Sequence, residues 1–179
     1  MKTRTALMLL LVVCLGAQPL YAQTVPEGVG QGYEGELGHV ASQLIALAEA
    51  TPAEKFAFRP ASGVRSTGEV YMHIVFANYY LLSQTGVGPK MPADLKPDAM
   101  KTVPAKAELI DWLKRSLDAL KSARAAAKPA DLERKVTLFK HETTADAVFL
   151  RLIIHNNEHM GQLIAYARMS GVAPPWSKD

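Results

Sequence analysis

His155-Asn156-Asn157-Glu158-His159-Met160-Gly161-Gln162 lies inside a helical run from about Thr144 to Ser170. At 3.6 residues per turn, His155 and His159 stack on one face of a helix. Val148, Leu152, Gln162 and Tyr166 fall on that same face. The stripe is apolar at its start and then turns to His, His, Gln and Tyr. A core-facing imidazole is costly unless its nitrogens are satisfied. A divalent metal satisfies two histidines at i and i+4 at once, whereas ordinary hydrogen bonds within the core would need a partner for each.

The chain begins with the features of an export signal. Lys2 and Arg4 precede a short apolar segment, Ala6 to Leu15, and Leu20-Tyr21-Ala22 resembles a signal-peptidase site. The apolar segment is too short to span a bilayer as a stable helix. Cys14 lies within that segment behind the β-branched Val13, which does not suit a lipid-attachment motif. Residues 1–22 are therefore expected to be removed, leaving one domain over 23–179 in the periplasm or secreted, without a stable membrane anchor. Cys14 is the only cysteine, so the mature chain has neither a disulfide framework nor a thiolate nucleophile. Losing Lys2 and Arg4 leaves 18 basic against 17 acidic residues. That near-neutrality removes the electrostatic case for nucleic acid.

The remaining chain is long enough to bury a full core. Leu37, Val40, Leu44, Leu47 and Ala48 repeat at helical spacing within Tyr33 to Ala50. Thr51-Pro52-Ala53-Glu54 reads as a capping box opening a short turn, which Phe58-Arg59-Pro60 ends. Ser66-Thr67-Gly68-Glu69 reads as a second capping box, opening a helix to about Gln84. On that helix His73 shares a face with Val70, Ala77 and Leu81 and so points inward. Thr85 to Val103, with Gly86, Gly88, Pro89, Pro92 and Pro97, shows no period. So long a connection predicts a crossover between parallel neighbours rather than a tight turn. Pro104 opens a third helix with Ile110, Leu113, Leu117 and Leu120 as its core stripe and Lys106, Lys114, Asp118 and Lys121 on solvated faces. Val136 to Phe139 reads as a brief extended segment, His141 as part of a loop, and Thr143 or Thr144 as the cap of the last helix. Gly171 and Pro174-Pro175 end it. The fold predicted is all-α, a four-helix bundle.

His73, His155 and His159 then supply three nitrogens from two helices, the pattern of a metal site that keeps a fourth position open. Zinc or nickel suits such a set best, and iron or manganese can occupy the same nitrogens. Gln162 is placed to hold an imidazole or a water. Glu158 lies near enough on the helix to serve as a general base, since His155-x-x-Glu158-His159 also fits an inverted zinc-protease motif. That protease class needs a further acidic ligand downstream, and only Asp179 follows. Tyr80 and Tyr166 share faces with the histidines and read first as bundle core, second as hydroxyls offered to a ligand. His39 and His141 fall outside the constellation.

Several of these stretches together resemble the DinB/YfiT-like family of metal-dependent four-helix bundles. The matching residues are Phe58-Arg59-Pro60, Gly63-Val64-Arg65-Ser66, Tyr71-Met72-His73-Ile74, His155-x-x-x-His159-x-Gly161-Gln162-Leu163 and Gly171-Val172-Ala173-Pro174-Pro175. The resemblance covers Tyr33 to Trp176. It implies an up-down-down-up bundle with the long crossover between helices two and three, and His73, His155 and His159 as metal ligands. It also implies a thiol-dependent transferase or isomerase, and the reading taken is a metal-dependent enzyme of hydrolase or transferase type acting on a small-molecule substrate. Export sets this chain apart, because low-molecular-weight thiols belong to the cytosol. A non-catalytic envelope protein that binds metal or a small ligand, and a bundle that works through a surface as a homodimer, are the alternatives.

Overall fold

Side-chain bonds at several helix ends satisfy the backbone there and help fix how the helices meet. The computed structural model describes residues 27–177; the export signal expected over 1–22 lies outside them. Helix α1, Gly32–Ala50, buries Leu37, Val40, Ala41, Leu44, Leu47 and Ala48. Beyond it the Thr51 hydroxyl donates to the Leu47 carbonyl at 2.7 Å. The capping box expected at Thr51 therefore does not form, and a 3-10 turn, Ala53–Ala57, follows Pro52 without a side-chain cap. Thr51 is buried at the end of α1, where the carbonyl is the group in need of a partner.

Helix α2, Thr67–Gln84, carries the capping box expected of it. The Glu69 amide donates to Ser66 Oγ at 3.2 Å, and the Ser66 amide donates to the Glu69 carboxylate at 2.8 Å. Arg59 grips the same carboxylate through both terminal nitrogens, at 2.6 and 2.5 Å, and donates to the Val64 carbonyl at 2.6 Å. The Phe58-Arg59-Pro60 turn is thus clamped to the start of α2. The connection that follows contains a 3-10 turn, Pro97–Met100, and travels back to the start of α2. There a Cβ on Gly68 would come within 2.5 Å of a Val103 methyl, so glycine is required for the approach.

Helix α3, Lys106–Ala126, buries Leu109, Trp112, Leu113, Ser116, Leu117, Leu120 and Ala123. The core stripe is rotated from the sequence expectation: Leu109 and Trp112 are buried, and Ile110 only packs against the edge. Lys106, expected in solvent, donates to the Glu49 and Thr51 carbonyls at 2.7 Å each. An ammonium there satisfies carbonyls left open at the end of α1. At the other end of α1, Tyr33 lies under the Arg124 guanidinium at 4.6 Å and edge-on to Phe149 at 6.4 Å.

A one-turn helix α4, Pro129–Leu132, leads into a hairpin, β1 Lys135–Leu138 and β2 His141–Thr144, antiparallel with Lys135 opposite Thr144 and Leu138 opposite His141. The extended segment foreseen at Val136 is real, but it has a partner strand, and His141 lies on that strand rather than in a loop. Phe139 and Lys140 form the two-residue turn at φ of 49° and 69°, a geometry that normally selects Asn-Gly. Holding bulky residues there costs on the order of 1–3 kcal/mol each. Helix α5, Ala145–Met169, is capped by Thr144. It ends at Gly171 (φ 82°), with Val172 donating back to the Ala167 carbonyl at 2.8 Å, a left-handed stop that favours glycine.

The contacts give the directions. Tyr33 and Phe149 bring together the starts of α1 and α5. Phe58, just before α2, meets Tyr166 near the end of α5 at 6.1 Å. Gly68 and Val103 bring together the starts of α2 and α3. Helices α1 and α5 thus run one way, and α2 and α3 the other. Midway along, a buried polar chain crosses the core: Asn156 Nδ2 donates to Asn78 Oδ1 at 2.8 Å, and Asn78 Nδ2 donates to Ser116 Oγ at 3.2 Å. All three side chains are fully buried. Among the described residues no helix is long and apolar enough to cross a membrane.

Removing one member leaves buried groups unpaired, so Asn78→Ala is expected to lower unfolding free energy by about 2 kcal/mol. Ser66→Ala, which removes only a cap, is expected to cost about 1 kcal/mol. Urea denaturation checks both. A loss at Asn78 no larger than that at Ser66 would mean that the polar chain contributes little.

Candidate metal centre

The capped start of α2 fixes where His73 emerges, and α5 presents His155 and His159 on successive turns opposite it. His73 Nε2 and His155 Nε2 stand 3.3 Å apart. One nitrogen from each of the three rings lies within 4.8 Å of the others. Ring centroids are 5.1 Å apart for His73 and His155, 4.8 Å for His73 and His159, and 4.5 Å for His155 and His159. His155 is buried, and the other two are half-buried.

Burial sets their protonation. The pKa of His73 is pushed down to about 4, first by desolvation, then by the charges of Arg65 and His159. That of His155 is also pushed down to about 4, by desolvation and then by His159, His73 and Arg151. Both are neutral at neutral pH, the state in which imidazole ligates. His159 Nδ1 lies 2.8 Å from Gln162 Oε1, and Gln162 Nε2 donates to the Tyr166 hydroxyl at 2.9 Å. Because the amide nitrogen faces Tyr166, the amide oxygen faces His159 Nδ1. Gln162 thus lies between the His159 imidazole and the Tyr166 hydroxyl.

The donor set fits a metal ion. Two nitrogens each about 2.0–2.1 Å from one tetrahedral ion stand about 3.3–3.4 Å apart, and His73 and His155 already have that separation. The Nδ1 atoms of these two rings are buried with no hydrogen-bond partner, so the only polar contact of either ring is the one between their Nε2 atoms. Three imidazoles close together, with no carboxylate among them, suit a divalent transition-metal ion by ligand type.

His73 and His155 also form one end of a cleft of about 260 Å³, with Arg65 and Arg151 beside them and Phe76, Tyr80 and Phe139 along one side. Glu158 is otherwise engaged than expected. Its carboxylate takes two bonds from Arg151, at 3.1 and 2.6 Å, and this pairing holds its pKa below the usual carboxylate range. A carboxylate so held is a poor general base. Tyr166 is buried and spends its hydroxyl on Gln162, whereas Tyr80 is exposed on the cleft wall. His39 is half-buried among the glycines that open α1, and His141 is exposed on β2; neither belongs to the cluster. Arg65, Arg151 and Phe139 were not singled out from the sequence. Arg151 lies one turn before His155 and was legible by the same spacing, but Phe139 depends on an unforeseen turn.

Residues 36–163 match a family model described as the DinB superfamily. No curated protein matches the chain. Among solved structures, a DinB-like protein from Bacillus cereus is 23% identical with a TM-score of 0.68, covering 81% of this chain and 97% of that one. A DinB-like protein from Bacillus subtilis is 17% identical with a TM-score of 0.62, covering 78% and 91%. A histidine-to-alanine variant of a mycothiol-dependent maleylpyruvate isomerase is 12% identical with a TM-score of 0.59, covering 74% of this chain and 60% of that one. The structural likenesses speak for the fold, and the family match covers well over half the sequence: the chain belongs to the DinB superfamily.

Proposed function

We propose that the protein binds a divalent metal through His73, His155 and His159 and acts as a metal-dependent enzyme on a small molecule, of hydrolase or thiol-transferase type. The observation that carries the reading is the convergence of three imidazole nitrogens, with two of the rings, His73 and His155, lining an open cleft. An ion held there would supply Lewis acidity toward a group entering from the cleft. The chain's own part is to keep His73 and His155 neutral by burial and to fix His159 through Gln162 and Tyr166. The mycothiol-dependent isomerase that shares the fold makes thiol conjugation one arm of an activity panel, with ester and amide hydrolysis as the others. Non-catalytic binding of metal or ligand in the envelope is favoured by a different observation. Glu158, the carboxylate that would have served as base, is committed to Arg151. Turnover by metal-loaded protein supports the first reading, and stoichiometric metal without turnover the second.

Residues 1–22 are proposed to direct export to the periplasm or the medium. Exported material should then begin at or near Gln23 by intact-mass measurement, and retention of Met1 to Ala22 would refute this.

Elemental analysis of purified protein should find a divalent ion, zinc or nickel first, and His73→Ala, His155→Ala or His159→Ala should each reduce it. Metal at about 100 times its Kd adds about 2.7 kcal/mol to stability, which raises Tm by roughly 5–10 °C in a chain of this size. Chelator should abolish that rise, while His39→Ala and His141→Ala should keep it. Undiminished binding by His73→Ala would remove the three-histidine site.

The metal-free protein should also lose stability in acid. Between pH about 4 and 6.5 the unfolded chain binds more protons than the folded one at His73 and His155. Stability therefore rises with pH across that window, is complete above it, and is lost as pH falls toward 4. Urea unfolding of chelated protein at pH 7 and pH 5 should show the difference, and His155→Asn should reduce it. An identical pH slope in the variant would count against burial as its source.

A further inference from the structure

The cleft beside the histidines has a chemical character of its own. Tyr80 stacks on Phe76 at 6.4 Å with the rings 8° apart, and on Phe139 at 6.5 Å with the rings 29° apart. The three rings make a ladder contributed by two separate elements, α2 and the hairpin tip. Tyr80 is 38% exposed and Phe139 64%, so the outer part of this aromatic wall faces solvent. Leu81 adds a further apolar contact.

Phe139 reaches this wall from a backbone position that disfavours it. At φ 49° in a two-residue hairpin turn, asparagine or glycine would be less strained. Strain retained beside a site is a reason to look for what the side chain does there. What Phe139 does is extend the ring ladder over the cleft.

The charge on the cleft is positive. No acidic side chain lines it, and its two arginines are not equivalent. Arg151 has its guanidinium committed to Glu158. Arg65 makes no salt bridge or side-chain hydrogen bond among the described residues. It also lines an adjoining hollow with Arg59, Glu69 and Lys101, where the Glu69 carboxylate is already paired with Arg59. The arginines in the lining exclude a cationic ligand.

We infer that the cleft binds an organic anion with a flat apolar body, its ring lying along Tyr80 and Phe139 and its carboxylate paired with Arg65. A guanidinium fork recognises a planar oxyanion through paired charge-assisted hydrogen bonds, and aromatic faces recognise a flat body. The volume, about 260 Å³, admits one or two fused rings rather than a large cofactor. The assignment names the substrate class of the site proposed above and rests on that reading only for what happens at the histidine end.

The test is binding of 2-naphthoate, with neutral 2-naphthamide as its control, to the mature full-length chain, both with chelator and after reconstitution with zinc. Saturable naphthoate binding is expected in both states, with the amide weaker by at least about tenfold. Arg65→Gln should weaken naphthoate by about that factor and leave the amide unchanged. Phe139→Asn should weaken both ligands while raising Tm, because asparagine tolerates the turn. Equal affinity for naphthoate and naphthamide, no saturable binding of either, or undiminished naphthoate binding by Arg65→Gln would overturn the assignment. Naphthoate binding that needs zinc and ignores Arg65 would overturn it and leave the metal reading standing. Arg65-dependent binding in a chain that takes up no metal would support it and remove the metal reading instead.

Discussion

The register of α5 against α2 is held by the buried bonds from Asn156 to Asn78 and on to Ser116. Apolar side chains alone do not choose one register sharply, since cores tolerate repacking when volume is conserved. Amides buried without water do choose, because a slip of one turn, about 5.4 Å, would strand their hydrogen-bonding groups. Asn156 also donates to the Leu152 carbonyl at 2.8 Å, and Ser116 donates to the Leu113 carbonyl at 2.9 Å. Asn156 directly follows His155 in the chain. The alignment that pairs Asn156 with Asn78 is therefore the one that sets His155 Nε2 at 3.3 Å from His73 Nε2. The three-histidine cluster inherits its geometry from a polar layer next to it.

The ends of the helices complete that control. Glu69 satisfies the start of α2 and is itself gripped by Arg59 from the preceding turn, so His73 projects from a helix whose first turn cannot fray easily. Gly68 lets the long connection return against this same end. Lys106 then ties the start of α3 to the last carbonyls of α1. These are local bonds, but each joins elements distant in sequence, and together they convert four amphipathic stripes into one arrangement.

Much of this was readable in the chain. The Ser66 capping box, the helix spanning His155 and His159, the Gly171 stop and the long connection after Gln84 all depend on local rules, and local rules can be read one stretch at a time. What escaped depends on partners that only the fold supplies. Lys106 looks like any solvated lysine until the end of α1 is brought to it. Thr51 looks like an N-cap until its burial against Leu47 is known. Ile110 and Leu109 are neighbours that a stripe drawn by eye cannot separate. Phe139-Lys140 carries none of the usual turn chemistry, so the hairpin, and with it one wall of the cleft, gave no sequence signal. Asn78 and Asn156 read as ordinary polar residues on helices because their value lies in each other.

The distribution of charge around the site follows from the same packing. Burial keeps His73 and His155 uncharged, so the inner end of the cleft carries lone pairs rather than positive charge. Arg151 stands one turn from His155 and would by itself set a second cation against those lone pairs, opposing a divalent ion. Glu158, on the same helix, takes both guanidinium bonds from it and offsets that charge. Arg65 makes no direct ion pair among the described residues, although Glu69 feels its charge, and it also depresses the His73 pKa. The cleft is thus graded, with neutral donors within, a compensated pair to one side and a guanidinium without a direct ion pair beside the aromatic rings. Glu158, which as a free carboxylate would have been a candidate base, acts here by leaving Arg65 as the cation that an incoming ligand meets.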